Sequence, residues 1–383
     1  MTEDAKRPTV AEPKRRTLLA TAAAAAGASA VVAAPAPASA GTGAPAGARL
    51  SGAVARLLAV PAAGRGVEWL RSALQVAVEL ELSTIPPYLC GWWSVKDRGS
   101  NTARLIRRII DDEMYHLGVA CNLLVAVGGT PRIRAGAPTY PGPLPGGVHP
   151  GVTVYLSGLT RSFVHDVMMA IEAPDAPLSR DPGASPSVGD FYTAVLEGFW
   201  LASPHLSTRG QLGTRIGSDD LRPVRTLLDV ERAIDVVREQ GEGTGSSPAD
   251  SFADDHPAHY YAFSEIYHGR QLHVTDRGWT FTGARVPFPD TRPMARVPAG
   301  GWSRPPAPVR QLLHRFDTTY TTVLTSLDAA WAGGGPRALG AAVHAMRGLE
   351  EPALHLMETR IPGRRSTYGP QFHALSWRGR VAE

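Results

Sequence analysis

The apolar positions of this chain recur at spacings of three and four over several long stretches, which predicts helices rather than strands. From about Val67 to Ile85 the row Leu70, Leu74, Ala77, Glu81, Ile85 forms one face. Glu68, Ser72, Gln75, Glu79 and Ser83 form a polar face opposite. Glu81 therefore interrupts a core row, while Glu79 is expected to face solvent. Pro86-Pro87 should bend or break this helix, with Tyr88 to Val95 continuing as an aromatic segment containing Trp92 and Trp93.

A second helix is expected from about Thr102 to Val127, capped by Ser100 or Asn101 and stopped by Gly128-Gly129. Its row is Ile106, Ile109, Glu113, His116, Ala120, Leu124, again with two polar members inside an apolar stripe. A third runs from Val230 to about Gly241 with apolar Val230, Ile234 and Val237. A fourth begins near Pro257 and passes Leu272, with the row Ala258, Tyr261/Ala262, Glu265, His268, Leu272. His259 and Tyr260 fall off that row, where they line a cavity or pack structurally. Shorter helices are expected at 157–171 and 188–200, and two amphipathic packing helices at 309–331 and 336–360. The Pro/Gly-rich stretches 129–155 and 174–188 read as long loops, and 279–309 as loop or β-ribbon. The fold class is all-α: a four-helix bundle with additional packing helices.

Composition agrees with a large helical core joined by structured loops, since 43% of the 383 residues are hydrophobic and Gly (40) and Pro (33) are abundant. The first 40 residues read differently. Lys14-Arg15-Arg16-Thr17-Leu18-Leu19 is a twin-arginine start, an Ala-rich run follows, and Ala38-Ser39-Ala40 offers a cleavage site. Export by the twin-arginine route is the expectation, with 41–65 a flexible leader and 66–373 the folded domain. The run is too short and too weakly apolar to span a membrane. Beyond residue 40 the chain carries 34 basic against 32 acidic residues, a balance that gives no nucleic-acid footprint. If Glu81 and Glu113 are level on antiparallel helices, Cys90 and Cys121 lie about 25 Å apart, too far for a disulfide.

The candidate chemistry lies in the polar interruptions. Residues i and i+3 share a helix face, so Glu113-x-x-His116 and Glu265-x-x-His268 each aim a carboxylate and an imidazole the same way. Two such pairs, plus one Glu from each of two further helices, make the dinuclear site of ferritin-like carboxylate proteins. Glu81 supplies the first. The third helix offers Glu231, Glu239 and Glu242, with Glu239 pointing away from its stripe and Glu242 flanked by glycines that would let it turn inward. Spacing favours Glu231: 32 residues separate Glu81 from Glu113, 34 separate Glu231 from Glu265, and only 23 separate Glu242 from Glu265. Oxygen donors with neutral imidazole suit iron or manganese, and four carboxylates offset most of the charge of two divalent ions. Such a site oxidises a small molecule with dioxygen, or it handles iron without organic turnover. No Gly-x-Ser-x-Gly elbow, Walker loop, dinucleotide fingerprint or Cys-x-x-Cys pair offers a competing chemistry.

Several runs are similar to one ferritin-like group, the iminophenyl-pyruvate dimer synthase family. They are Leu80-Glu81-Leu82-Ser83-Thr84-Ile85-Pro86-Pro87-Tyr88-Leu89, Glu113-Met114-Tyr115-His116-Leu117, Ile171-Glu172-x-Pro174, Glu239-Gln240-Gly241-Glu242-Gly243 and His259-Tyr260-Tyr261-x-Phe263-x-Glu265. The likeness spans about residues 67–373. It implies a metal-dependent oxidoreductase, di-iron in type, that couples aromatic imines with dioxygen. It also implies Glu239 or Glu242 as a site residue, weakens the case for Glu231, and raises Glu172 as a ligand or as a support for one.

Overall fold

The computed structural model describes residues 52–174, 187–242, 248, 256–275 and 278–376. All of these belong to the unit Ala44–Glu383. The expected export signal and the first part of the leader lie outside the described residues. Residues 52–65 of that leader hold α1 (Ala53–Leu58) and a 3-10 turn (Ala62–Gly64). Val54 is buried, and Trp69 Nε1 donates to the Leu57 carbonyl at 2.9 Å.

Helices α2 (Val67–Ser94) and α3 (Asn101–Ala126) form the central pair. Ser100 caps α3 by accepting from the Ala103 amide, and Gly128 takes the left-handed conformation just past its end (φ 76°). Leu70, Leu74, Ala77, Ile106 and Ile109 are wholly buried, each Leu or Ile contributing about 1.5–3 kcal/mol by leaving water.

Two expectations for α2 fail. Pro86 and Pro87 lie inside one continuous helix. Pro87 cannot donate to the Ser83 carbonyl, and the Tyr140 hydroxyl donates to it instead at 2.7 Å. Glu79, expected in solvent, is buried. The Pro/Gly-rich loop after α3 folds back over that face, where Gln75 Nε2 donates to Glu79 and Gln75 Oε1 accepts from the Arg132 amide.

Helix α4 starts at Arg161–Phe163, capped by Thr160, and passes into a π-helical stretch at Val164–Met169. Helices α5 (Val188–Ala202) and α6 (Leu227–Glu242) pack together, and α7 (His259–His268) packs against α4. Helices α9 (Gly335–Arg347) and α10 (Glu350–Glu358) each pack on α8 (Ala307–Ala329), and α10 touches α2. Among the described residues the strands form three two-stranded antiparallel sheets: β1–β2 (Gly142–Pro143, Thr153–Val154), β3–β4 (Thr214–Ile216, Asp219–Leu221) and β5–β6 (His273–Thr275, Gly278–Thr280). The architecture is an all-α bundle with packing helices. No described helix is long and apolar enough to cross a membrane. Both cysteines are buried free thiols.

Candidate metal centre

Two groups of buried ligand atoms lie between α2, α3, α4 and α7. In each group the atoms fall within 4.8 Å of one another: Glu81, Glu113 and His116 form one, and Glu113, Glu172 and His259 the other. Glu113 is common to both, so the two groups are halves of one cluster with a carboxylate between them. Glu81, Glu113, His116 and His259 are at most 4% exposed, and the Glu172 side chain is 10% exposed.

The two imidazoles are oriented alike. His116 Nε2 lies 2.7 Å from Gln240 Oε1 on α6, and an amide oxygen only accepts, so Nε2 carries the proton. Nδ1 then faces inward, 3.6 Å from Glu81 Oε2 and 3.8 Å from Glu113 Oε1. His259 Nε2 lies 3.2 Å from Asp112 Oδ2, and its Nδ1 faces Glu113 Oε1 at 2.9 Å and Glu172 Oε1 at 3.7 Å. That Nδ1 is buried yet has no aligned hydrogen-bond partner. The rings lie 5.6 Å apart, 26° from parallel. An outward N–H tied to an acceptor and an inward lone pair among carboxylates is how a metal-bound histidine is held.

The carboxylates are held as firmly. Tyr192 on α5 donates to Glu81 Oε1 through a short hydroxyl contact. Tyr88 on α2 donates to Glu172 Oε1 at 2.6 Å. Thr84 Oγ1 lies 2.6 Å from Glu113 Oε2 and 2.8 Å from the Glu81 carbonyl, and its single proton serves one of them at a time.

The electrostatics follow from this crowding. Burial, reinforced by the Glu172 charge, raises Glu113 from its ordinary value to about 7. Burial alone would lower His116, but its contact with Glu81 and the charges of Glu113 and Glu81 outweigh that and push it up to about 9. His259 is likewise held well above its usual range, because contacts with Asp112, Glu113 and Glu172 overcome burial. Both phenols are pushed well up, first by burial and then by the carboxylate each one faces. The three carboxylates are balanced here by the two raised imidazoles and the raised Glu113 carboxyl, and the same groups could hold a metal ion in place of those protons. The donor set of carboxylate oxygen and imidazole fits iron or manganese.

A ferritin-like family model matches residues 74–268, just over half of the chain and every residue of this cluster. The chain belongs to the ferritin-like family. A solved structure of a ferritin-like protein from Caulobacter vibrioides has the same fold, with a TM-score of 0.59 at 22% identity, covering 79% of this chain and 97% of that one. No curated protein matches this chain.

Within this ferritin-like bundle the structure brings together Glu81, Glu113 and His116, as the helical rows suggest. It does not bring in Glu265 or His268. Glu265 is buried but accepts from the Leu272 amide at 2.8 Å, closing the turn after α7. His268 is exposed and stacks on Phe281 with centroids 4.5 Å apart. Glu239 is half-buried on α6 and belongs to neither group. Glu242 ends α6, and its side chain lies outside the described residues. Among the described residues of α6, Gln240 touches the cluster through His116, and Gly241 lies beside Glu172, where an added Cβ would sit 3.6 Å from Oε2. In place of the expected second pair stand His259 and Glu172.

The signal for His259 was in the sequence. Ala262, Phe263 and Ile266 are the buried apolar residues of α7, and His259 precedes them by three, four and seven positions, a complete helical stripe. The row read through Ala258 and His268 is rotated from it by one residue. Gly269, left-handed at φ 71°, ends the helix at His268, so the expected continuation to Leu272 does not form.

Proposed function

We propose that this ferritin-like protein holds two metal ions, one between Glu81, Glu113 and His116 and the other between Glu113, Glu172 and His259, and oxidises a small aromatic molecule with dioxygen. The observation that supports this best is the matched pair of histidines, each with Nε2 fixed outward and Nδ1 turned among carboxylates. Bound iron or manganese would supply the redox chemistry with dioxygen. The chain's own residues do the rest. Tyr192, Tyr88 and Thr84 fix the carboxylate rotamers, Gln240 and Asp112 fix the imidazole tautomers, and burial keeps bulk water from the cluster.

A cleft of about 1270 Å³ reaches the outer side of this centre, lined by Trp92, Arg107, Arg108, Asp112 and Asp219. It has room for an organic molecule beside Asp112, the partner of His259. The resemblance of Thr84-Ile85-Pro86-Pro87-Tyr88 and Glu239-Gln240-Gly241-Glu242-Gly243 to runs of the iminophenyl-pyruvate dimer synthases favours an aromatic imine or its parent amino acid as substrate. The twin-arginine start and Ala38-Ser39-Ala40 support export of the folded protein.

A second reading, metal handling without organic turnover, is favoured by the closure of the Glu81 group, none of whose members exceeds 4% exposure. Oxygen uptake separates the two. An oxidase consumes oxygen in proportion to added indolic or phenylalanine-derived imine, and Glu113→Ala abolishes this. Uptake driven by ferrous iron alone, indifferent to every organic addition, overturns the oxidase reading.

A further inference from the structure

His268, displaced from the metal centre, lines a second cavity of about 450 Å³ together with Arg161, Arg270, Arg285 and Phe288. This cavity lies at the far ends of the two elements that bring in Glu172 and His259. Arg161 opens α4 and His268 closes α7, roughly 15 Å along the helix axes from the ligands.

Its construction concentrates positive charge. Arg270 and Arg285 are directly opposed across a short antiparallel bridge, flanked by Gln271 N to Ala284 O at 2.8 Å and Val286 N to Gly269 O at 3.0 Å. Residues directly opposed on such a ladder present their side chains to the same face, where like charges destabilise the pairing. The Arg161 guanidinium is brought to the same place, donating to the Tyr267 carbonyl and lying over the Phe288 ring, 5.1 Å from its centroid. Arg161 also lies within reach of the Gly269 turn, where an added Cβ would sit 3.6 Å from Nη2. Besides partial burial, this charge lowers His268 from its ordinary value. None of the three arginines forms an ion pair among the described residues, and no described carboxylate lines the cavity.

We propose that this pocket binds the phosphate group of a small, soluble organic phosphate. Three guanidiniums lining one cavity supply enough donors for three terminal phosphate oxygens and enough charge to offset a dianion, which a monocarboxylate would use only in part. The Phe288 ring under Arg161 gives an organic portion an apolar surface, and the volume exceeds that of the bare anion. The inference is independent of the metal centre.

The test is calorimetric titration of the full chain at low ionic strength with phenyl phosphate, inorganic phosphate and benzoate. One-to-one binding is expected, tightest for phenyl phosphate and weakest for benzoate. Arg270→Gln/Arg285→Gln should weaken phenyl phosphate binding by about tenfold or more, and Arg337→Gln, on the remote helix α9, should not. Circular dichroism of each variant checks the fold. His268→Gln serves as a milder variant, and in the unaltered chain phosphate should raise the His268 titration midpoint seen by NMR. Four outcomes would overturn the proposal: no saturable binding of either phosphate, equal binding by the folded double variant, benzoate binding as tight as phenyl phosphate, or binding only to phosphatidylglycerol vesicles.

Discussion

At neutral pH the His116 imidazole, pushed up to about 9, and the Glu113 carboxyl, at about 7, carry protons that an arriving metal ion must displace. Both values are raised, so both groups are protonated at pH 6 and progressively free above it. Metal affinity is therefore expected to climb between pH 6 and 9, by about tenfold per unit for each proton displaced. Competition against a chelator across that range measures it, and a flat profile would show that neither group is a ligand. The two phenols make a finer prediction. Tyr192 holds only Glu81 and Tyr88 holds only Glu172. Tyr192→Phe should weaken one of two resolvable metal-binding steps by about 10–100-fold, and Tyr88→Phe the other. Loss of both steps together in either variant would mean that the phenols act through the fold instead.

At the scale of elements, long periodic rows were readable and their ends were not. Glu81, Glu113 and His116 stood out because each interrupts an apolar stripe on a helix of 26 residues or more, where several turns fix the phase. Helix α7 has only 10 residues. Over so short a length, Ala258, Tyr261 and Leu272 could mimic a row rotated by one position, and Gly269 was the stop signal that decides against it. Glu172 lies just past the helical end of α4, after a π-helical stretch, so no 3.6-residue period points to it. Glu79 looked solvated because nothing in the local pattern shows that a loop more than 50 residues away will cover it. The same loop explains the unbroken α2. Tyr140→Phe should remove the donor that replaces the Pro87 N–H and leave the buried Ser83 carbonyl unpaired, costing about 1–3 kcal/mol in chemical denaturation. An unchanged midpoint would mean that another donor serves that carbonyl.

For the molecule as a whole, the cluster ties together segments remote in sequence. Glu81 and Glu113 come from the central pair, Glu172 from α4 and His259 from α7. The unfolded chain cannot offer these ligands together, so metal bound there adds to folding stability by mass action. Metal-loaded protein should melt several degrees above chelator-treated protein, and Glu113→Ala should abolish the difference. Identical melting curves for loaded and stripped protein would count against ligands drawn from across the bundle. The family match ends at His268, while α8, α9 and α10 continue the packing beyond it, with α10 touching α2.

The most direct measurement is metal stoichiometry after anaerobic loading with ferrous iron, read by elemental analysis on the unaltered chain, His259→Ala and His268→Ala. The account predicts two ions per chain in the unaltered protein, a loss of at least one in His259→Ala, and no loss in His268→Ala. Full loading of His259→Ala, or loss of metal in His268→Ala, would contradict it.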